Sequence, residues 1–176
     1  MIRTILHYPD PRLRKKASRV ADVSPAVLRL LDDMAETMYA APGVGLAANQ
    51  IGEDYRIFIV DIAAEDEPSK LIEFINPEIV HQEGEQSGTE GCLSFPGVSE
   101  ELVRRATVRV RAHDRHGRAF DLTAEGLLAV AIQHEFDHLE GVLMIDRMGI
   151  IKRRIVQKKM AKRGASAPQS PSMPLP

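Results

Sequence analysis

From Ser24 onward, apolar residues fall at Val27, Leu28, Leu31, Met34, Ala35 and Met38, the spacing that gathers side chains onto one face of an α-helix. Ser24 fits the N-cap and Pro25 the first helical position, and the helix should end before Pro42-Gly43. The pattern then changes. Gly43 to Gly52 reads Gly-Val-Gly-Leu-Ala-Ala-Asn-Gln-Ile-Gly, too glycine-rich for a stable helix and too apolar for a solvated loop, which predicts a backbone that approaches something closely. Arg56 to Ile62 predicts a strand, and Lys70 to Ile75 and Glu78 to Gln82 predict two more around Asn76-Pro77. Leu102 to His113 alternates as another strand, Asp114-Arg115-His116-Gly117 carries hairpin chemistry, and Ala119 to Leu122 returns.

Thr123 is then the expected N-cap and Glu125 a favourable first-turn acid for a helix that runs to about Glu140 and stops at Gly141. Its centre, Leu127 to Ile132, is apolar almost all round, which predicts burial on most sides. After Val142 to Met148, the basic amphipathic stretch Ile150 to Arg163 predicts a last helix, and Gly164 to Pro176 is a Ser/Pro/Ala tail. The order implies an α+β fold with mostly antiparallel strands packed around a buried central helix, flanked by N-terminal and C-terminal helices. One catalytic domain over residues 1–163 and a flexible tail over 164–176 are expected.

Composition narrows the class. A chain of 176 residues suits one domain, and 44% hydrophobic with 27% charged residues is the profile of a globular protein. A net charge of -2 makes the whole molecule no magnet for nucleic acid or anionic membrane. Met1 to Pro11 lacks the apolar core of a secretory signal, no apolar run reaches membrane-spanning length, and the single cysteine forms no internal disulfide. A cytoplasmic location is expected.

The chemistry concentrates on the buried helix, at Gln133-His134-Glu135-Phe136-Asp137-His138. Residues four apart share a helical face, so His134 and His138 can reach one ion, with Glu135 placed to act as acid and base. The bland alternative makes them core histidines, but charged and polar groups so crowded in a buried turn need partners. Catalytic sites of this kind take three protein ligands and leave a position for water. After Glu140 there is no histidine or glutamate, so the third ligand is sought upstream, where Cys92 in Gly88-Thr89-Glu90-Gly91-Cys92-Leu93-Ser94-Phe95-Pro96-Gly97 is the leading candidate. By itself a lone cysteine is more often a small buried hydrophobe than a ligand.

Three segments, Gly43-Val44-Gly45-Leu46-Ala47-Ala48-Asn49-Gln50, Glu90-Gly91-Cys92-Leu93-Ser94 and Gln133-His134-Glu135-Phe136-Asp137-His138-Leu139, together closely resemble the three signature motifs of peptide deformylase. The resemblance begins at His7-Tyr8-Pro9-Asp10 and covers roughly the first 160 residues. It implies removal of the formyl group from the initiator methionine of nascent polypeptides. It further implies Cys92, His134 and His138 as metal ligands, Glu135 as acid/base, and Gln50 with the Leu93 backbone N–H facing the formyl oxygen. A cap for its own loop is the ordinary alternative for Gln50. Val44, Gly45, Val130 and Ala131 would line a pocket for the methionine side chain, although Val44 fits an ordinary core as well. The implied metal is ferrous iron, with zinc, nickel or cobalt as substitutes, and iron would expose the Cys92 thiolate to oxidation.

Many family members carry an arginine or an aromatic residue where Ser99, Glu100 and Glu101 stand, a difference expected to change which peptides are preferred. The basic run Lys152, Arg153, Arg154, Lys158, Lys159, Lys162 and Arg163 is either a solvated helix face or a dock for ribosomal RNA, as in some relatives. No membrane or DNA partner is expected. Two rival readings are an ordinary metallopeptidase, against which the missing downstream ligand argues, and a structural zinc module, which would want more cysteines.

Overall fold

The computed structural model of the chain describes residues 1–64 and 66–166. Helix α1 (Pro25–Ala40) starts as its sequence predicts, with the Ser24 hydroxyl accepting the Val27 N–H at 3.3 Å. Strands β1 (Gly45–Ala47), β2 (Ile57–Val60), β3 (Ile72–Glu83), β6 (Thr107–His113) and β7 (Ala119–Glu125) form an antiparallel sheet in the order β1-β2-β3-β6-β7. Strands β4 (Gln86–Gly91) and β5 (Ser99–Arg104) form a separate two-stranded sheet. Helix α2 (Gly126–Leu139) follows β7, and α3 (Ile150–Ser166) comes last.

The run Ile57-Phe58-Ile59-Val60 shows how the large sheet is covered. Ile57 and Ile59 join Leu30, Leu31, Met34 and Met38 of α1, while Phe58 and Val60 join Ala129, Ala131 and Ile132 of α2. Alternate side chains point to opposite faces, so a strand buried on both sides must be apolar throughout, and this one separates the two helices. A third cluster unites Phe95 and Val98 with Leu6, Leu143, Met144, Val156 and Met160. It supports the connection between β4 and β5, where Phe95 N–H bonds to Cys92 O at 2.9 Å. No helix among the described residues is long and apolar enough to cross a membrane.

The structure departs from the expected elements at several points. The two strands expected around Asn76-Pro77 are one, β3, whose register against β6 shifts between Ile75 and Glu78; Asn76, at φ 52°, takes up the irregularity. The single strand expected from Leu102 to His113 is two, β5 and β6, in different sheets. Leu102 and Arg104 are buried in one, and Val108, Val110 and Ala112 in the other; the unbroken parity of these positions hides the change of sheet. Thr123 lies inside β7 rather than capping α2, and Glu125 holds the cap position without a side-chain bond. Leu127, expected to be buried with the rest of the central helix, is 57% exposed. Helix α3 runs to Ser166, past the expected start of the tail, and residues 167–176 lie outside the described residues.

Candidate metal centre

Helix α2 and the β4–β5 connection supply the three donors. The His134 and His138 rings lie with their centroids 5.1 Å apart, and the Cys92 sulfur, just past the end of β4, is 3.3 Å from His138 Nε2. One donor atom from each of the three lies within 4.8 Å of the other two. One sulfur and two imidazole nitrogens suit zinc, iron, nickel or cobalt far better than calcium or magnesium.

The surroundings prepare these atoms for a cation. Glu90 Oε2 accepts the Nδ1–H of His134 at 2.9 Å, which directs the lone pair of Nε2 away from the carboxylate. Burial would raise the Glu90 carboxyl, but Arg104 and His134 outweigh it and hold the group at about 2. Arg104 donates to Glu90 at 2.7 and 2.8 Å and to Asp137 at 2.5 Å, and Asp137 also accepts from Arg147 at 2.5 and 2.6 Å. Charges of alternating sign therefore run from His134 to the surface, and each buried carboxylate is compensated. Burial and the neighbouring His134 push His138 well below its ordinary value and keep it neutral. Burial acts likewise on His134, but Cys92 and Glu90 raise it well above 6.5, so a proton and a cation compete for the same place.

Glu135, 5% exposed, borders the same space. Burial pushes its carboxyl up to about 7 against the pull of His134 and Arg104, and Oε2 has no hydrogen-bond partner among the described residues. A group with that proton affinity exchanges protons readily near neutrality. Gly45 is what makes room for it: a Cβ there would lie 2.9 Å from Glu135 Cδ. The close approach expected of the Gly43–Gly52 segment is thus an approach to the acid.

Gln50 sits in the 3-10 turn Ala48–Ile51 that follows β1. Its Oε1 accepts the Ala47 N–H at 2.8 Å, and its Nε2 lies 3.1 Å from Ser94 Oγ and 3.7 Å from Cys92 Sγ. The preceding residue, Asn49, donates from Nδ2 to the His138 carbonyl, which ties this turn to α2.

A cleft of about 420 Å³ opens over these groups, lined by Val44, Gly45, Gln50, Cys92, Leu93, Val130, Ala131, His134 and Glu135. Of the metal, catalytic and pocket residues assigned from the sequence, all but His138 reach its wall. Ser99, Glu100 and Glu101 do not line it either, and Glu100 is turned to Lys152 of α3 at 2.8 Å. Sequence reasoning missed Arg104, Asp137 and Arg147 and gave no role to Glu90 or Ser94. A charge two residues from buried Leu102, on the same face of a strand, was the one available sign of Arg104. It also missed Leu127, which joins the cleft wall from the exposed side of α2.

The model of the family described as polypeptide deformylase matches residues 2–154. The peptide deformylase of Xylella fastidiosa (strain M12) is 53% identical over 161 residues, which are 90% of this chain and 94% of that one. That of Alkalilimnicola ehrlichii is 49% identical, over 90% of this chain and 88% of its own. The crystal structure of a peptide deformylase from Legionella pneumophila superposes with a TM-score of 0.89 at 43% identity, covering 97% of this chain and all of that one. The Ehrlichia chaffeensis enzyme in complex with actinonin gives 0.88 at 35% identity, covering 92% of this chain and 97% of that one.

Proposed function

This chain belongs to the polypeptide deformylase family, and from that premise we propose how its residues carry out the family's reaction. It is a metal-dependent hydrolase that removes the N-formyl group from the initiator methionine of nascent polypeptides and releases formate. One metal ion is implied, and Cys92, His134 and His138 are the possible site for it. We assign that site to ferrous iron on the strength of the family resemblance, with zinc, nickel and cobalt as substitutes, since the mixed sulfur and nitrogen set accepts all four.

A divalent ion in this site supplies a Lewis acid that acidifies water and polarises the formyl carbonyl. Glu135 takes the proton of the attacking water, and the resulting hydroxide adds to the formyl carbon. Negative charge grows on the formyl oxygen, where the Gln50 Nε2–H and the Leu93 N–H meet it more strongly than they meet the neutral carbonyl. Glu135 then returns its proton to the amine nitrogen as the C–N bond breaks, leaving formate and a free α-amine. Val44, Gly45, Val130 and Ala131 take the methionine side chain along the cleft wall.

The observation that carries this reading is the convergence of the three donors beside a buried carboxylate oxygen of Glu135 that has no hydrogen-bond partner among the described residues. The test is formate release from a formyl-Met tripeptide by protein loaded without oxygen with iron, nickel or zinc, beside Glu135→Gln. Loss of at least about a thousandfold in kcat with the metal retained is expected, since acid/base and charge-stabilising roles are combined in one residue; full activity in the variant would refute the assignment. The catalytic domain is read as residues 1–163, the bound expected from the sequence, with α3 carrying on to Ser166. A cytoplasmic location is read from the substrate, which emerges from ribosomes, and the basic face of α3 is read as a dock on ribosomal RNA.

A further inference from the structure

Gln50 can serve the formyl oxygen only if its amide is held one way round, and a glutamine side chain has two ends of similar shape. The structure settles the orientation at the oxygen end, because a backbone N–H only donates and so the atom 2.8 Å from Ala47 N must be Oε1. That leaves Nε2 with two hydrogens in a place where Gln50 is 1% exposed. Ser94 Oγ, on a residue with no exposure at all, lies 3.1 Å from this nitrogen, and Cys92 Sγ is a second, longer contact of the same nitrogen at 3.7 Å.

Ser94 is itself held in place. Its carbonyl accepts the Tyr8 N–H at 3.0 Å, and the Gln50 carbonyl accepts the Leu6 N–H at 2.7 Å. The extended segment from Leu6 to Tyr8 thus spans the turn that carries Gln50 and the loop that carries Ser94, and the Nε2–Oγ bond joins the two between their side chains.

We propose that Ser94 is a positioning residue for deformylation: its hydroxyl oxygen takes one Nε2 hydrogen of Gln50 and so aims the other at the formyl oxygen. The inference rests on the reading of Gln50 as a stabiliser of that oxygen. With the hydroxyl removed, a buried donor loses its acceptor, and the amide is free to tilt toward the sulfur. A displaced donor costs rate more than it costs ground-state binding.

The test is a double-mutant cycle on the metal-loaded enzyme, reading formate release from a formyl-Met tripeptide, with metal content measured in every variant. Ser94→Ala is expected to lower kcat about tenfold or more while KM stays within about twofold and metal content stays whole. Gln50→Ala should lose more, and Gln50→Ala with Ser94→Ala should be no worse than Gln50→Ala alone, because the serine then has nothing to aim. Ser94→Thr, which keeps the hydroxyl, should exceed Ser94→Val, which has the same shape without it. Unimpaired Ser94→Ala, or losses that multiply in the double variant, would overturn the proposal. Full activity in Gln50→Ala would instead overturn the reading of Gln50, and the proposal with it. Should the Ser94 variants fail to fold, the unmutated enzyme labelled with 15N-glutamine still decides. One slowly exchanging Gln50 side-chain amide proton supports the bond, and two that exchange as freely as in solution refute it.

Discussion

At Gly45 the absence of a single carbon sets the position of the acid. The Cβ of an alanine would fall 2.9 Å from both Cδ and Cγ of Glu135, closer than real contacts allow, and the carboxylate would have to leave its place. Gly45→Ala should therefore lower kcat on the order of a hundredfold, as a misplaced catalytic group does, while metal content is unchanged, because none of the three donors is touched. Equal turnover by the variant would show that Glu135 tolerates displacement. The metal donors were legible in the sequence because two of them share a helical face by spacing alone and the third is the only cysteine. The partners of those donors were not, since Glu90, Arg104, Asp137 and Arg147 meet only when β4, β5, α2 and the turn Met144–Arg147 have been assembled. No periodicity in the chain encodes that meeting.

Among the elements, the strands with strong apolar runs were readable and the β4–β5 pair was not. Gln86-Ser87-Gly88-Thr89-Glu90-Gly91 has almost none of the branched or aromatic residues that favour strands. Its pairing with β5 is held instead by Arg104, which reaches back to Glu90 and across to Asp137 of α2. Arg104→Met takes the guanidinium away from buried Glu90, while Asp137 keeps Arg147, and breaking such a buried pair should cost about 3–5 kcal/mol. The denaturation midpoint would report it, and an unshifted midpoint would show that β4 and β5 do not depend on the arginine. A second element depends on Asp61, at the end of β2. Burial pushes its carboxyl up, but the N–H groups of Ala63 and Lys70 and the hydroxyls of Ser69 and Tyr39 outweigh burial and hold it below 3.8. A carboxyl whose folded value is depressed stabilises fully above its unfolded value and loses that contribution as pH falls through the folded one. The gap in melting temperature between the protein and Asp61→Asn should thus be constant near neutrality and narrow below pH 3.8. A gap independent of pH would remove Asp61 from the account.

Over the whole molecule, α3 is less free than its basic sequence suggests. Lys152 pairs with Glu100, Arg153 donates to the Ile145 and Asp146 carbonyls, Lys159 to the Gly97 carbonyl and Arg163 to the Pro96 carbonyl. Arg154 and Lys158 are exposed, and they are the cations to change in a test of ribosome docking. Arg154→Glu with Lys158→Glu should reduce cosedimentation with ribosomes at low salt and leave formate release from a tripeptide unaltered; undiminished cosedimentation would dismiss α3 as the dock. The cleft has a further property that belongs to the molecule as a target. Gly43 and Gly45 line it with backbone; a Cβ at Gly45 would strike the acid, whereas one at Gly43 would meet the tip of the Leu93 side chain at 2.7 Å, which can turn aside. Val44 and Leu127 line it with side chains that are 48% and 57% exposed, and Leu127, which has no part in holding the methionine side chain, can vary at little cost. A blocker that rests on the Gly45 backbone leaves mutation few ways out, whereas one that leans on Leu127 invites drug resistance at that codon.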